Sequence, residues 1–429
     1  MRPARRPGPA GTVALRWATH SPAWVRPAVR VAAAAAVLAA LVSCGHPRSA
    51  ATSFPGRGTP HINSADARYS WVSVNGLNGV AAVSAHSLWA VGSAATGKPL
   101  IEHWDGRAWA PVPSASPPGA QESLLNSVAA TGSSTAWAVG YYNTGKRIKK
   151  TLIERWNGRT WVQVASPSPG GVHGSFLLGV ATAGPSDAWA VGYYDTGKST
   201  RALIERWNGR AWAQVASPSP GGLDARLNGV AAAGTSTAWA VGAYFGPSLR
   251  PLIERWNGRA WNVVTSPNPG GCCNALTAVA TVGESAAWTV GTTGKTVDEA
   301  LIERWNGRAW TQEPSPRPAG SRGSILTGIA ARSPANAWAV GYYYTKPKTE
   351  PAVRTLIERW NGRAWTQEPS PNPGGSAVHS PDQSLLQAVG AVSSSQAWAA
   401  GSYSSGNPRG TILIERRAGG TWSQVPAGR

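Results

Sequence analysis

The side chains able to do covalent chemistry are few and scattered. Twenty carboxylates occur in 429 residues, and seven of them recur at one motif position: Glu102, Glu154, Glu205, Glu254, Glu303, Glu358 and Glu415. Glycoside hydrolysis needs two carboxyl groups about 5–10 Å apart, and the remaining acids are spread singly. His46, His61, His86, His103, His173 and His379 show no serine–acid pattern and no metal-ligand cluster. The three cysteines, Cys44, Cys272 and Cys273, form no Cys-x-x-Cys pair, no zinc spacing and no disulfide framework. No catalytic residue, metal or cofactor is therefore expected, and the balance falls toward binding.

Binding chemistry is more concentrated. All eight lysines fall in a few variable segments: Lys98, Lys146, Lys149, Lys150, Lys198, Lys295, Lys346 and Lys348. Arg147, Arg201, Arg250, Arg354 and Arg409 accompany them. Tyrosines stand just before, at Tyr141, Tyr142, Tyr193, Tyr194, Tyr244, Tyr342, Tyr343, Tyr344 and Tyr403. Few acids share these segments (Asp195, Asp298, Glu299, Glu350). The formal charge of +20 agrees with an anionic partner. Lysine in exposed loops also serves plain solubility, an equal alternative.

The elements that position these residues come from repetition. A Trp recurs as Trp89, Trp137, Trp189, Trp239, Trp288, Trp338 and Trp398, at spacings of 48, 52, 50, 49, 50 and 60. Leu-Ile-Glu-Arg-Trp-Asn-Gly-Arg-x-Trp recurs at 152–161, 203–212, 252–261, 301–310 and 356–365, with variants at 100–109 and 413–422. In the second copy, 125–130, 136–142, 151–156 and 160–165 read as four strands. Asn157-Gly158 predicts a tight hairpin with both central residues at φ > 0. Ser166-Pro167-Ser168-Pro169-Gly170-Gly171 breaks the last strand and crosses to the next copy. Four-stranded units of this length predict an all-β, seven-bladed β-propeller with four antiparallel strands per blade. An open solenoid is the runner-up. Tyr69 to Val74 resembles an additional fourth strand and is expected at an edge of the ring.

Twenty of the 23 tryptophans sit at three fixed positions per repeat. A feature present in every blade is scaffold, so these Trp are expected to fill the blade-to-blade core. The Glu-Arg pairs, from Glu154/Arg155 to Glu415/Arg416, are read the same way, as structural ion pairs between neighbouring strands or blades.

In a four-stranded meander the 1–2 and 3–4 turns share one face of the ring, and the 2–3 loops and 4–1 connectors share the other. The first set is short and uniform; the second varies, and variable loops on a rigid scaffold carry recognition. Every lysine lies in a 2–3 loop. The candidate anion-binding residues are Lys146, Arg147, Lys149, Lys150, Lys198, Arg201, Lys346 and Lys348, densest over blades two and six. Cys272-Cys273 lies in the connector between blades four and five, where either a strained eight-membered disulfide clip or two idle thiols fits.

The N-terminus reads as an export signal. Arg2, Arg5, Arg6, Arg16, Arg26 and Arg30 precede an Ala-rich apolar run, 31–42, of 12 residues. A spanning helix needs about 20, whereas a signal h-region is this short. The run ends in Leu41-Val42-Ser43-Cys44, which resembles the bacterial lipobox, implying cleavage before Cys44 and lipid attachment to its thiol. Loss of six Arg and no acid takes the charge from +20 to +14. The expected organisation is a signal peptide over 1–43, a Pro/Ser/Gly-rich tether over 44–68 and the propeller over 69–429.

The blade resembles the sialidase-type Asp-box (BNR) propellers, especially the photosystem II assembly-factor-like group. The likeness lies in Leu178-Gly179-Val180-Ala181, Ala188-Trp189-Ala190-Val191-Gly192 and Asn208-Gly209-Arg210-Ala211-Trp212. It spans nearly all of 69–426 and implies the propeller architecture. The Asp of the box survives only at Asp105, so sialidase activity is not carried over. The reading is a lipid-anchored monomer on the outer face of the bacterial cytoplasmic membrane, with a secreted protein as the alternative. It binds an anionic wall polymer, an acidic glycan or a surface protein, and nucleic acid is not a physiological partner. A glycosidase or lyase on the same face, and an assembly factor for a membrane complex, stay open as alternatives.

Overall fold

A computed structural model describes residues 75–145, 148–220, 224–295, 297–345, 352–374, 383–404 and 409–428. They form 28 strands, numbered β1 (Gly76–Ser84) to β28 (Thr421–Gln424) in chain order. The second repeat shows the plan: β5 (Glu122–Gly132), β6 (Thr135–Asn143), β7 (Lys149–Trp156) and β8 (Trp161–Gln163) pair in sequence, all antiparallel.

The fold is an all-β propeller of four-stranded antiparallel blades. The first strands β1, β5, β9 (Ser175–Gly184), β13 (Ala225–Ala232), β17 (Ala275–Val282), β21 (Ser321–Ser333) and β25 (Gln383–Ala391) neighbour one another in that order, and β25 returns to β1. That return excludes an open solenoid. The hydrogen-bonded sheets number six where the repeats predict seven: five have four strands and one has eight. The large sheet is two antiparallel meanders joined by one parallel pair, Val353 with Gln383. The sixth repeat's third strand and the seventh's first strand begin side by side there. The predicted edge strand at 69–74 lies outside the described residues.

Glycine in each Ala-Trp-Ala-Val-Gly run answers to a bulge. Between Leu125 and Ser127 the first strand skips a register position, and a Cβ on Gly140 would run into the Leu124 carbonyl. The residue at the bulge turns its side chain to the next blade. Asn78 donates to Leu125 O at 2.9 Å, Asn126 to Leu177 O at 2.7 Å and Asn228 to Leu276 O at 2.7 Å. Thr277 donates to Leu326 O at 2.8 Å and Thr327 to Leu386 O at 2.7 Å. These bonds run round the axial channel.

Tryptophan fills the blade interfaces. Trp89 meets Trp156 and Trp161 of the next repeat, ring centroids 4.8 and 5.1 Å apart. Trp137, Trp189 and Trp239 repeat the triad, and Trp398 closes it on Trp104 and Trp109 at 4.7 and 5.5 Å. One interface departs. Arg417 stands where every other third strand ends in Trp, and it is 5 % exposed. It forms a two-point pair with Glu368, at 2.8 and 3.0 Å, and Trp422 Nε1 donates to the same carboxylate at 2.7 Å.

Two expectations need correction. The repeated Glu and Arg are not ion-paired with each other among the described residues. Each Glu is buried and accepts a hydrogen bond from a connector: Ser114 to Glu154 at 2.6 Å, Ser166 to Glu205 at 2.8 Å and Ser217 to Glu254 at 2.8 Å. Ser266 to Glu303, Ser315 to Glu358 and Ser370 to Glu415 continue the series. The backbone N–H of Gly428 serves Glu102 at 3.2 Å. Burial pushes these carboxyls up, to about 8 for Glu205, Glu303, Glu358 and Glu415 and about 7 for Glu254. The arginines lie on Trp faces instead, as Arg155 does over Trp137 at 5.3 Å and Trp207 at 5.7 Å. Alternation sends Glu and Arg to opposite faces of the strand. A neutral serine hydroxyl, not a cation, is what each Glu from Glu154 to Glu415 meets, so a neutral carboxyl costs less than a buried charge.

The Asn-Gly turn also differs. Trp156 pairs with Trp161 across a four-residue loop, and within it only Gly158 has positive φ, at 92°. Asn157 Oδ1 accepts from the backbone N–H groups of Arg159 and Thr160, both at 2.9 Å. An acceptor oxygen is all this turn needs, which is why Asp105 and the asparagines interchange.

Candidate functional site

The 2–3 loops and 4–1 connectors meet on one face of the ring. Four of the eight predicted anion-binding residues are described there. Lys149 and Lys150 begin β7, and Lys198 and Arg201 lie at the start of β11 (Thr200–Trp207). Lys150 and Lys198 are exposed, while Lys149 and Arg201 are half-buried. Lys146, Arg147, Lys346 and Lys348 lie outside the described residues, as do Cys44 and the signal and tether segments.

Antiparallel register sets a Tyr beside a cation in four repeats. Tyr142 pairs with Lys150, Tyr194 with Arg201, Tyr244 with Arg250 and Tyr343 with Arg354. The extended 2–3 hairpins carry both partners to the rim, where Lys150 is exposed and Arg201, Arg250 and Arg354 are half-buried.

Inside this rim an aromatic line crosses repeats two and three. Tyr141 meets Phe176 edge-on at 5.1 Å, and Phe176 stacks on Tyr193 at 4.7 Å with 19° between planes. The ammonium of Lys149 sits 4.6 Å from the Tyr141 ring centroid and 5.8 Å from that of Phe176. Burial lowers the Lys149 pKa, and the charge of Glu122 opposes that shift. Beyond Tyr193, in repeat four, lies Arg226, whose Nη2 is buried with no hydrogen-bond partner among the described residues. Burial lowers its pKa too, and raises that of Tyr193. A cation thus stands at each end of the aromatic line, Lys149 over Tyr141 and Arg226 by Tyr193, and each is already stripped of much of its water.

Several rim groups hold the loops rather than face solvent. Lys98 Nζ donates to Ala120 O at 3.1 Å, and Asp195 accepts from Gly197 N at 2.6 Å. Asp224 accepts from Thr200 N, and Glu299 lies 3.6 Å from Arg317. Acids and cations of the loops alike thus brace the local geometry.

Phe176, Arg226 and Glu122 were not singled out from sequence, because they belong to first strands and not to loops. A signal does exist: the residue before the repeated Leu varies as Leu124, Phe176, Arg226, Ala275, Ile325 and Leu385. No group of three or more His, Cys, Asp or Glu among the described residues is arranged to hold a metal.

No protein-family profile and no curated protein matches the chain. Solved structures do. A GH74 xyloglucanase from Xanthomonas campestris aligns at 14% identity and TM-score 0.51, over 82% of this chain and 55% of its own. The chain thus spans about half of that enzyme. A polysaccharide lyase of family PL25, an ulvan lyase, aligns at 10% identity and TM-score 0.51, over 83% of this chain and 97% of its own. YCF48 bound to D1 peptide aligns at 16% identity and TM-score 0.48, over 81% and 92%. At these identities the first two alignments speak for the β-propeller fold alone.

Proposed function

We propose that this protein is an exported, lipid-anchored surface receptor for an anionic extracellular polymer. Its seven repeats make seven blades, the eight-stranded sheet counting as two that touch at one parallel pair. Residues 1–43 act as signal peptide, Cys44 carries the lipid, 44–68 tether a monomeric ring over 69–429 to the outer face of the membrane, and the 2–3 loops and 4–1 connectors face outward. Lys146, Arg147, Lys149, Lys150, Lys198, Arg201, Lys346 and Lys348 supply the charge.

The observation that carries this reading is the pairing of Tyr with Lys or Arg at equivalent rim positions, set over the Tyr141–Phe176–Tyr193 line. Rim cations beside aromatic planes fit an acidic glycan, whose carboxylate or sulfate meets the cations while its ring lies on apolar carbon. The test is retention of the full chain on an acidic polysaccharide column, against a neutral polysaccharide, at low and high salt. Retention on the acidic matrix that salt abolishes supports the reading. Equal elution from both matrices overturns it. For the anchor, Cys44→Ala should move the protein from the membrane fraction to the medium.

A further inference from the structure

The connector between repeats four and five holds adjacent cysteines in an unusual posture. In extended chain, neighbouring side chains point apart. Here Cys273 takes φ +66°, after Gly270 at +68° and Gly271 at +76°. The turn brings the two sulfurs to 2.7 Å, inside ordinary van der Waals contact. A left-handed φ at a non-glycine residue persists only where the surroundings hold it. They do: Cys273 N donates to Leu249 O at 2.9 Å, and Asn274 Nδ2 donates to Pro269 O at 3.0 Å. Cys273 is fully buried, whereas Cys272 is half-buried.

We propose that Cys272 and Cys273 form a reversible vicinal disulfide, made and broken by exchange with external disulfides and thiols. The accessible Cys272 thiolate attacks an external disulfide, forms a mixed disulfide and releases one thiol. The Cys273 thiolate then attacks Cys272 Sγ, closing the eight-membered ring and releasing the second thiol. Two electrons and two protons pass from the protein to the external disulfide, and an external dithiol reverses both steps. Burial of Cys273 directs the first attack to Cys272, and contact of the sulfurs favours ring closure over a lasting mixed disulfide.

The ring has a place to act. The connector is tied to the 2–3 loop of repeat four through Leu249 O and through Ser248 Oγ, which donates to Gly271 O at 3.3 Å. Leu249 precedes Arg250, a rim cation paired with Tyr244. The redox state of the pair therefore sets the rigidity of the rim beside Arg250.

The test equilibrates the purified full chain with oxidised glutathione, then denatures and alkylates it. The tryptic peptide 260–295 carries both cysteines and leaves Cys44 elsewhere. The expected product is that peptide without alkyl groups, lighter than the dithiol by two hydrogens, and restored to a doubly alkylated form by dithiothreitol. Cys272→Ser should leave Cys273 largely unreacted with glutathione in the native state. Amide exchange at Asn274 should slow on the order of tenfold in the oxidised protein. A doubly alkylated peptide after oxidation, a persistent glutathione adduct, or exchange unchanged between the two states overturns the proposal.

Discussion

Ser166 Oγ donates to Glu205 Oε2 at 2.8 Å, joining the connector that leaves one blade to the buried third strand of the next. The other oxygen of Glu205 is buried with no partner among the described residues. The bond thus satisfies half of a carboxyl whose pKa burial pushes up to about 8.

Removing that hydroxyl should be felt. Ser166→Ala strands the carboxyl without its donor, and a loss of about 1–3 kcal/mol is expected. Urea unfolding read by Trp fluorescence checks it. Ser166→Thr, which keeps the hydroxyl, should recover most of the loss.

The same carboxyls predict how stability follows pH. Their folded pKa values, about 7 for Glu254 and about 8 for Glu205, Glu303, Glu358 and Glu415, stand above the ordinary 4.5. Between about pH 4.5 and 8 the folded chain holds protons that the unfolded chain has released, so stability falls as pH rises. The contribution is complete below the unfolded pKa and gone above the folded one. Melting temperatures at pH 5 and pH 9 should differ in favour of pH 5. Glu205→Gln and Glu303→Gln together should shrink that difference.

Trp137→Ala should empty the interface shared with Trp207 and Trp212. A cost of about 3–5 kcal/mol is expected. Calorimetry should show a lower melting temperature, and a variant as stable as the parent would mean the triad is not the seam.

Arg417 and Glu368 invite a double test. Arg417→Ala leaves the half-buried Glu368 with only the looser Arg359, 3.7 Å away, and the Trp422 N–H, a loss of about 1–3 kcal/mol. Restoring the repeat pattern at both sites, Arg417→Trp with Glu368→Val, should be near neutral or stabilising. The order of the two melting temperatures decides the matter.

At the rim, Lys150→Glu and Lys198→Glu combined, both at exposed positions, should sharply weaken retention on the acidic matrix while leaving the melting temperature within a few degrees. Single Lys198→Glu should weaken it modestly, since an exposed charge contributes little alone.

Much of the scaffold was legible in the sequence. Trp at fixed spacing marks strands that must meet a neighbour, and the Gly of Ala-Trp-Ala-Val-Gly marks a backbone that a Cβ would obstruct. The partner of each Glu was not legible, because Glu205 meets Ser166, 39 residues earlier, across a blade boundary. A charge pattern within one motif suggested Arg and was silent about a hydroxyl in a connector. The turn at Asn157 was placed correctly but given the wrong geometry, since side-chain acceptance of two N–H groups outweighs a two-residue hairpin. On the rim, loop cations were visible as composition, whereas Arg226 was hidden inside a strand whose other residues are core.

Near-identical repeats carry a hazard of assembly: any unit offers its neighbour almost the same surface. The Arg417–Glu368 pair distinguishes one joint from the rest. Were the last repeat to dock against the fourth strand of an earlier one, Arg417 would face Val112, Val164, Val215 or Val264 at the position of Glu368, with Glu313 the one other acid there. A guanidinium sealed against valine is expensive. The chain thus has a key cut into that unit, which penalises its docking at a wrong joint.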